Sequence, residues 1–293
     1  MASLREVKNR IGTVKSTRKI TSAMRMVSSA KLTKVEQLLS NMLPYQNKLE
    51  EIVRKILGRG SFTMEAPYTE SRKVSKVALV EISSNSSLCG GFNSTIIRTV
   101  NVYVEQNKAS IGVDNILSYP VGRKVEEALQ KKNYNLQGSY QELADRPSYK
   151  AARLLAQELM SKYVQKEIDQ VIIVYYYFKS VGSQTLLTEQ FLPIDLSKYK
   201  EEKSDKSKIN YDYIVEPSEQ ELIENLIPQV LNQKFYTTLM DSNASAEAAR
   251  SLAMQLATDN ADDLIQDLTQ QFNKSRQQAI TNELLDIVGG SMR

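Results

Sequence analysis

The sequence predicts an α/β protein: an antiparallel coiled coil of the N- and C-terminal helices, with a Rossmann-like α/β domain inserted between them. Three observations carry this. Apolar residues recur at three-four spacing over both ends, the period of a helix seam. Short apolar strands alternate with amphipathic helices in the middle, the pattern of βαβ units. The two ends also carry opposite charge. Residues 1–34 hold nine basic side chains against one acidic, a net +8, and residues 217–293 hold five against eleven, a net −6. A chain that leaves and returns through one insert pairs such ends antiparallel.

At the N-terminus, Leu4, Val7, Ile11 and Val14 are followed by Ile20, Met24 and Val27. A second run, Leu32, Val35, Leu39, Met42, Leu49, Val53 and Ile56, implies a change of register between the two. Pro44 should kink or briefly break this helix, and Gly58 and Gly60 should end it, giving an element over 1–58. Its most distinctive stretch is Ile20-Thr-Ser-Ala-Met-Arg-Met-Val-Ser-Ser-Ala-Lys-Leu32. On a helix, Ile20, Ala23, Met24 and Val27 share a face, Arg18 and Arg25 lie nearly opposite, and Ser22, Ser28 and Ser29 fill much of the rest. The apolar face is expected to pack on the other terminal helix, leaving the small and positive side for a second partner.

The α/β domain is placed at 74–196. Val77 to Ile82 reads as a strand, Phe92 to Asn107 as a helix, Asp114 to Tyr119 as a strand and Gly122 to Lys132 as a helix. Tyr149 to Val164 reads as a helix, Val171 to Phe178 as a buried strand, and Thr185 to Leu192 as its neighbour. A linker at 197–216 contains the Lys, Glu, Asp and Ser run Lys198 to Lys208, which reads as a solvated loop. The C-terminal helix, 217–293, starts at the cap Glu216-Pro217-Ser218 and is interrupted by Pro228. Residues 229–288 then contain neither Gly nor Pro, on the order of 90 Å of helix at about 1.5 Å per residue. Its expected seam includes Leu231, Phe235, Leu239, Ala246, Ala249, Ala253, Leu256, Leu264, Leu268, Phe272, Ala279, Leu284 and Ile287, and Gly289-Gly290 should stop it.

Composition narrows the chemistry. With 41% hydrophobic and 25% charged residues, the 293-residue chain is globular in character. The longest strongly apolar run, Val171 to Phe178, is too short to span a bilayer, and the start MASLREVKNR has no apolar signal core. There is no histidine, the usual general base and commonest metal ligand, and the single cysteine, Cys89, cannot form an internal disulfide. Ser87-Leu-Cys-Gly-Gly-Phe-Asn93 lies between a strand and a helix, where doubly wound folds bind phosphates, but carries neither GxGxxG nor GxxxxGK[ST]. A tight turn is the simpler reading, and Cys89 without a histidine partner reads as a structural thiol. No metal-ligand spacing or paired carboxylates stand out. The basic N-terminal helix could bind nucleic acid or a membrane surface. The apolar seam among its basic residues and an acidic helix in the same chain that can neutralise it argue against nucleic acid, and the absence of a Trp or Phe anchor on its apolar face argues against a membrane.

Three motifs together resemble one family. Ile20 to Leu32 is similar to the N-terminal signature of the γ subunits of F-type ATP synthases, and Leu88-Cys-Gly-Gly-Phe-Asn93 to their turn after the first strand. The third match runs from Ala246-Glu-Ala-Ala-Arg-Ser-Leu-Ala-Met-Gln-Leu-Ala-Thr-Asp-Asn-Ala261 through Asn273-Lys-Ser-Arg-Gln-Gln-Ala-Ile-Thr-Asn-Glu-Leu-Leu-Asp-Ile-Val-Gly-Gly290. The resemblance implies a non-catalytic central rotor of the bacterial type, with no cofactor or metal of its own. It implies one copy per complex, on the cytoplasmic face of the plasma membrane. Its partners would be the α and β subunits of the catalytic ring, the ε subunit and the membrane c-ring, with membrane contact only through the complex and no nucleic acid. By motif position, Arg250 and Gln277, with Thr281 beside them, would touch the moving loops of the β subunits, as would Met24 and Arg25. The turn residues Leu88, Cys89, Gly90, Gly91 and Asn93 would serve packing of the α/β domain. The sequence departs from the family at Ser84-Asn-Ser-Ser87, which replaces an acidic-basic-Gly run, and one cysteine cannot form the regulatory disulfide of chloroplast relatives.

Overall fold

A computed structural model of the chain describes residues 4–58, 68–194 and 219–291. The Lys198 to Lys208 run, Gly60 and the cap Glu216-Pro217-Ser218 lie outside these residues. Helix α1 spans Leu4–Gly58. After it come β1 (Val77–Ile82), α2 (Phe92–Asn107), a 3-10 turn at Val113–Asn115, β2 (Ile116–Val121), α3 (Arg123–Gln130) and β3 (Asn135–Leu136). The chain continues through α4 (Gln141–Asp145), α5 (Tyr149–Val164), β4 (Gln170–Ser180), β5 (Ser183–Leu192) and α6 (Glu219–Ser291). No helix among the described residues is long and apolar enough to cross a membrane.

The strands form one sheet in the order β3-β2-β1-β4-β5. The first four are parallel, and β5 returns antiparallel to β4, with Val174 opposite Thr188. All six residues of β1 are buried, because both faces of the sheet are covered. On one face, Val77 and Leu79 pack with Phe92, Ile96 and Val100 of α2 and Val125 and Leu129 of α3. On the other, Ala78, Val80 and Ile82 pack with Leu155, Leu159 and Tyr163 of α5, Leu49 and Val53 of α1, and Val230, Leu231 and Phe235 of α6. At the end of β2, Gly122 holds φ +102° with the Ser83 carbonyl oxygen only 2.5 Å from where a Cβ would stand. Any side chain there would clash with the backbone that joins β1 to its turn.

Packing divides the chain into two compact units. One joins residues 1–30 with 250–293, and the other spans 31–249. Within each, α1 and α6 run antiparallel. In the first unit, Arg18 pairs with Asp262 at 2.5 Å and the Thr21 and Thr258 hydroxyls meet at 2.8 Å, so numbers rise on one helix as they fall on the other. In the second, Leu32 and Leu39 cluster with Met240, Ala244 and Ala248, and Lys31 pairs with Glu247.

The seams differ from those expected. On α1 the positions Leu4, Val7, Ile11, Val14, Thr21, Arg25, Ser28, Leu32, Val35 and Leu39 are buried or half-buried and follow one register, with Ser22, Met24 and Glu36 half-buried beside them. No register change occurs. Ile20 is 61% exposed and Val27 57%, while Ser28 is 2% exposed. The face of Ile20 and Val27 therefore points away from α6, and small polar residues take the seam because they let two helices approach closely. On α6 the inward positions of the first unit are Met254, Thr258, Ala261, Ile265, Leu268, Phe272 and Ala279. Leu256, Leu264, Leu284 and Ile287, expected on the seam, are exposed. Both prolines lie inside continuous helices, and α6 runs through Gly289-Gly290 to Ser291. Proline costs a helix about 3 kcal/mol. Flanking anchors in the core offset that: Leu39 and Leu49 beside Pro44, and Ile227, Val230 and Leu231 beside Pro228.

Candidate functional site

The turn from β1 to α2 spends its polar groups on itself. The Asn93 Oδ1 accepts from the Ser84 N–H at 3.0 Å and the Ser84 hydroxyl at 3.1 Å. Its Nδ2 donates to the Ser86 carbonyl at 3.1 Å and meets the Cys89 sulfur at 3.1 Å. Cys89 is buried at 1% exposure, and Gly90 turns at φ +58°. Leu88 is 57% exposed in the left-handed region at φ +66°, a strained setting for a branched side chain. Gly91 caps α2 without a side-chain hydrogen bond. Asn93 thereby ties this strand-to-helix turn to Ser84, Ser86 and Cys89.

In a sheet of this order, ligands bind outside the carboxyl ends of the strands at the point where the strand order reverses, here between β1 and β4. That position is filled by α6. The Ser242 hydroxyl approaches the Ile82 carbonyl at the end of β1 at 3.5 Å, and the Ser245 hydroxyl donates to the Tyr176 carbonyl of β4 at 3.3 Å. Asn243 Nδ2 donates to the Ala144 carbonyl at 2.6 Å. Ala246 is buried in the same cluster as Cys89, Phe92 and Tyr176. The crevice that holds a dinucleotide in other folds of this class is occupied by the chain's own helix. Among the described residues no group of three or more Cys, Asp or Glu is arranged to hold a metal ion.

Two carboxyl groups lie at this seat. Glu81, on β1 opposite Val174 and Pro120, is fully buried, and neither of its oxygens has a well-formed hydrogen bond. Burial pushes it up to about 8, against the smaller opposing effects of the Ser118 hydroxyl and nearby main chain. Asp241, 9% exposed, is pushed up to about 7 by burial. Nothing in the sequence reading singled out either residue or the plug. The available signals were a lone acid inside the apolar strand Val-Ala-Leu-Val-Glu-Ile and the cluster Asp241-Ser-Asn-Ala-Ser245 interrupting a hydrophobic seam.

The five residues assigned by motif position all fall in the first unit but do not form one site. Met24 and Arg25 are half-buried on α1. Arg250 is 7% exposed and engaged within the chain. Gln277 and Thr281 are exposed, with the Thr281 hydroxyl donating to the Gln277 carbonyl at 2.9 Å. At about 1.5 Å per residue, Arg250 and Gln277 stand about 40 Å apart along α6. They are separate points on a long helix pair. What surrounds them is an unusual amount of uncovered apolar surface: Ile20, Met26 and Val27 on α1, and Leu252, Leu256 and Leu264 on α6.

Comparison with known proteins agrees with this architecture. The family model described as ATP synthase matches residues 3–292. A chain from Bacteroides fragilis (strain YCH46) named ATP synthase gamma chain is 56% identical over 296 residues, covering 100% of both chains. One of the same name from Parabacteroides distasonis is 42% identical over 294 residues, covering 99% of both. Among solved structures, a chain of the Euglena gracilis mitochondrial ATP synthase OSCP/F1/c-ring assembly superposes with a TM-score of 0.64 at 18% identity, covering 99% of this chain and 93% of that one. A chain of the central stalk/c-ring structure from the Tetrahymena thermophila mitochondrial ATP synthase gives 0.58 at 24% identity, covering 81% of this chain and 99% of that one. Matched from end to end, and sharing more than half its residues with a relative of equal span, the chain belongs to the γ-subunit family of F-type ATP synthases.

Proposed function

We propose that this chain is the central-stalk rotor of an F-type ATP synthase, a non-catalytic subunit that couples proton flow through the membrane sector to ATP synthesis and hydrolysis in the α/β ring. The observation that carries the reading is the uncovered apolar band of the first unit. A helix pair that worked alone would turn Ile20, Val27 and Leu256 inward. Here they are 61%, 57% and 55% exposed while Ser28 and Thr258 fill the seam. Exposed apolar surface of this extent marks a protein partner, and the partner that fits is the inner wall of the catalytic ring.

The physics of coupling follows. A ring with approximate threefold symmetry gives three equivalent sites. One asymmetric shaft cannot touch them alike, so it biases each toward a different state. Turning the shaft exchanges those biases in order, and nucleotide binding drives the shaft in return because coupling is reciprocal. The partners are one set of α and β subunits per copy of this chain, the ε subunit and the c-ring. The complex sits at the cytoplasmic face of the plasma membrane, and this chain reaches the bilayer only through it. Met24, Arg25, Arg250, Gln277 and Thr281 are the positions proposed to meet the ring. Leu88, Cys89, Gly90, Gly91 and Asn93 shape the α/β domain instead.

The test is reconstitution with cognate α and β subunits, comparing the wild-type chain with an Ile20→Ser/Val27→Ser variant. The native mass should show one copy per three α–β pairs. ATP turnover should depend on the chain and fall with the variant, while the variant's own fold is kept. Full ATP turnover with the variant would reject the band as the ring contact.

A further inference from the structure

We propose that the seat of α6 on the carboxyl ends of β1 and β4 is a proton-dependent latch, closed when Asp241 and Glu81 both carry protons and loosened as they ionise. This concerns the chain by itself and holds whatever the rotor's partners are.

The seat is built from three side-chain hydrogen bonds to main-chain carbonyls, through Ser242, Asn243 and Ser245. Among the described residues no ion pair joins Ser242, Asn243 or Ser245 to these carbonyls. Two carboxyl groups flank it. Asp241 immediately precedes Ser242, and Glu81 immediately precedes Ile82, whose carbonyl Ser242 approaches. Alternation along β1 puts Glu81 on the side of Val77 and Leu79, the face on which Ala246 also packs. Neither acid has an ion pair or a well-formed hydrogen bond among the described residues.

The charges nearby are spent elsewhere. Facing Asp241 is Tyr175 of β4, on which Glu189 of β5 and Tyr177 also act. Glu189 already takes the Lys234 ammonium at 2.6 Å and the Tyr175 hydroxyl at 3.1 Å. On α1, Lys31 is paired with Glu247. On Glu81 no charged group acts, only burial, the Ser118 hydroxyl and nearby main chain, and the titratable residues of its apolar cluster are Cys89, Tyr103, Tyr134 and Tyr176, none of them a cation. On α3, Glu126 is bound by Ser139 and Gln141. With no countercharge, ionising either acid in place costs the seat the full desolvation of a carboxylate, and opening the seat to water relieves it.

The sign follows from linkage. A buried acid with a raised folded pKa binds its proton more tightly closed than open. Closure is therefore favoured at low pH and weakens as pH rises, up to about 7 for Asp241 and about 8 for Glu81. Each group contributes up to about tenfold in the opening equilibrium per pH unit in that window.

The experiment is amide hydrogen exchange on the full chain from pH 5.5 to 7.5, corrected for intrinsic rates, read on α6 amides 239–249 and on α5. The expected result is protection in 239–249 that falls more than tenfold per pH unit, a weaker dependence in α5, and a flat profile in Asp241→Asn/Glu81→Gln. If that pair does not fold, Asp241→Asn/Glu81→Leu serves the same purpose with an apolar replacement. A flat wild-type profile, an equal slope in α5, or an unchanged slope in the double variant overturns the latch.

Discussion

The reversal of the Ile20 to Leu32 face can be tested with two adjacent residues. Hydrophobicity alone places Val27 inside and Ser28 outside, and the structure places them the other way round. Val27 is 57% exposed, so less than half of its side chain is removed from water by the fold. Full burial of such a side chain is worth about 1.5–3 kcal/mol, so Val27→Ser should cost the free chain about 1 kcal/mol or less. Valine and serine have similar helix propensity, which leaves little else to change. Ser28 is 2% exposed between two helices whose seam is small. Ser28→Leu forces extra carbons into that contact and should cost about 1–3 kcal/mol by overpacking. Urea unfolding of the full chain, followed by circular dichroism, measures both. The reasoning fails if Val27→Ser proves the more destabilising of the two, since the apolar face would then be the packed one.

Further expectations concern other parts of the chain. Phe235 is fully buried with its ring 5.7 Å from that of Phe191, and Phe235→Ala should destabilise the sheet unit by about 3–5 kcal/mol in the same unfolding experiment. Thr258→Val keeps the volume but removes the cross-helix hydroxyl contact with Thr21, which retains the Arg18 carbonyl; about 1 kcal/mol should be lost. Burial pushes the Asp169 carboxyl up, but the Ser75 hydroxyl, the Lys76 and Ser75 N–H groups and Arg72 outweigh it and hold the group below its ordinary value. A depressed acid contributes stability that is in place above about pH 4 and is lost as pH falls further. Thermal unfolding from pH 7 to 2.5 should therefore steepen for wild type and be flatter for Asp169→Asn, which is also less stable at pH 7 because Arg72 loses its partner.

Much of the α/β region was legible because its signals are local. Val77 to Ile82, Phe92 to Asn107 and Tyr149 to Val164 are bounded as the periodicity places them. Strand β2 is displaced to Ile116–Val121 because Val113–Asn115 closes a 3-10 turn first, and β3 and α4 are too short to leave a pattern. The coiled coil was legible in existence and direction but not in phase. Its seam is defined by size as much as by polarity, and Thr21, Ser28 and Thr258 are small before they are polar. The exposed Ile20, Val27 and Leu256 misled the reading because apolar residues kept for a partner look, in one sequence, like apolar residues kept for a core. The plug at Ser242 and Ser245 was not legible, since it depends on two segments about 160 residues apart in sequence meeting at one sheet end.

That plug also changes what the domain can sense. A doubly wound domain with an open switch point reports the level of whatever small molecule it binds. Here the occupant is tethered, so its effective concentration at the crevice is on the order of millimolar or more and never falls with dilution. A diffusing metabolite would have to displace a resident that cannot leave. Apart from the protons that act on Asp241 and Glu81, the domain is thereby shielded from small molecules that would compete for this crevice. The seat of α6 on the sheet is thus a joint within the chain and not an open pocket.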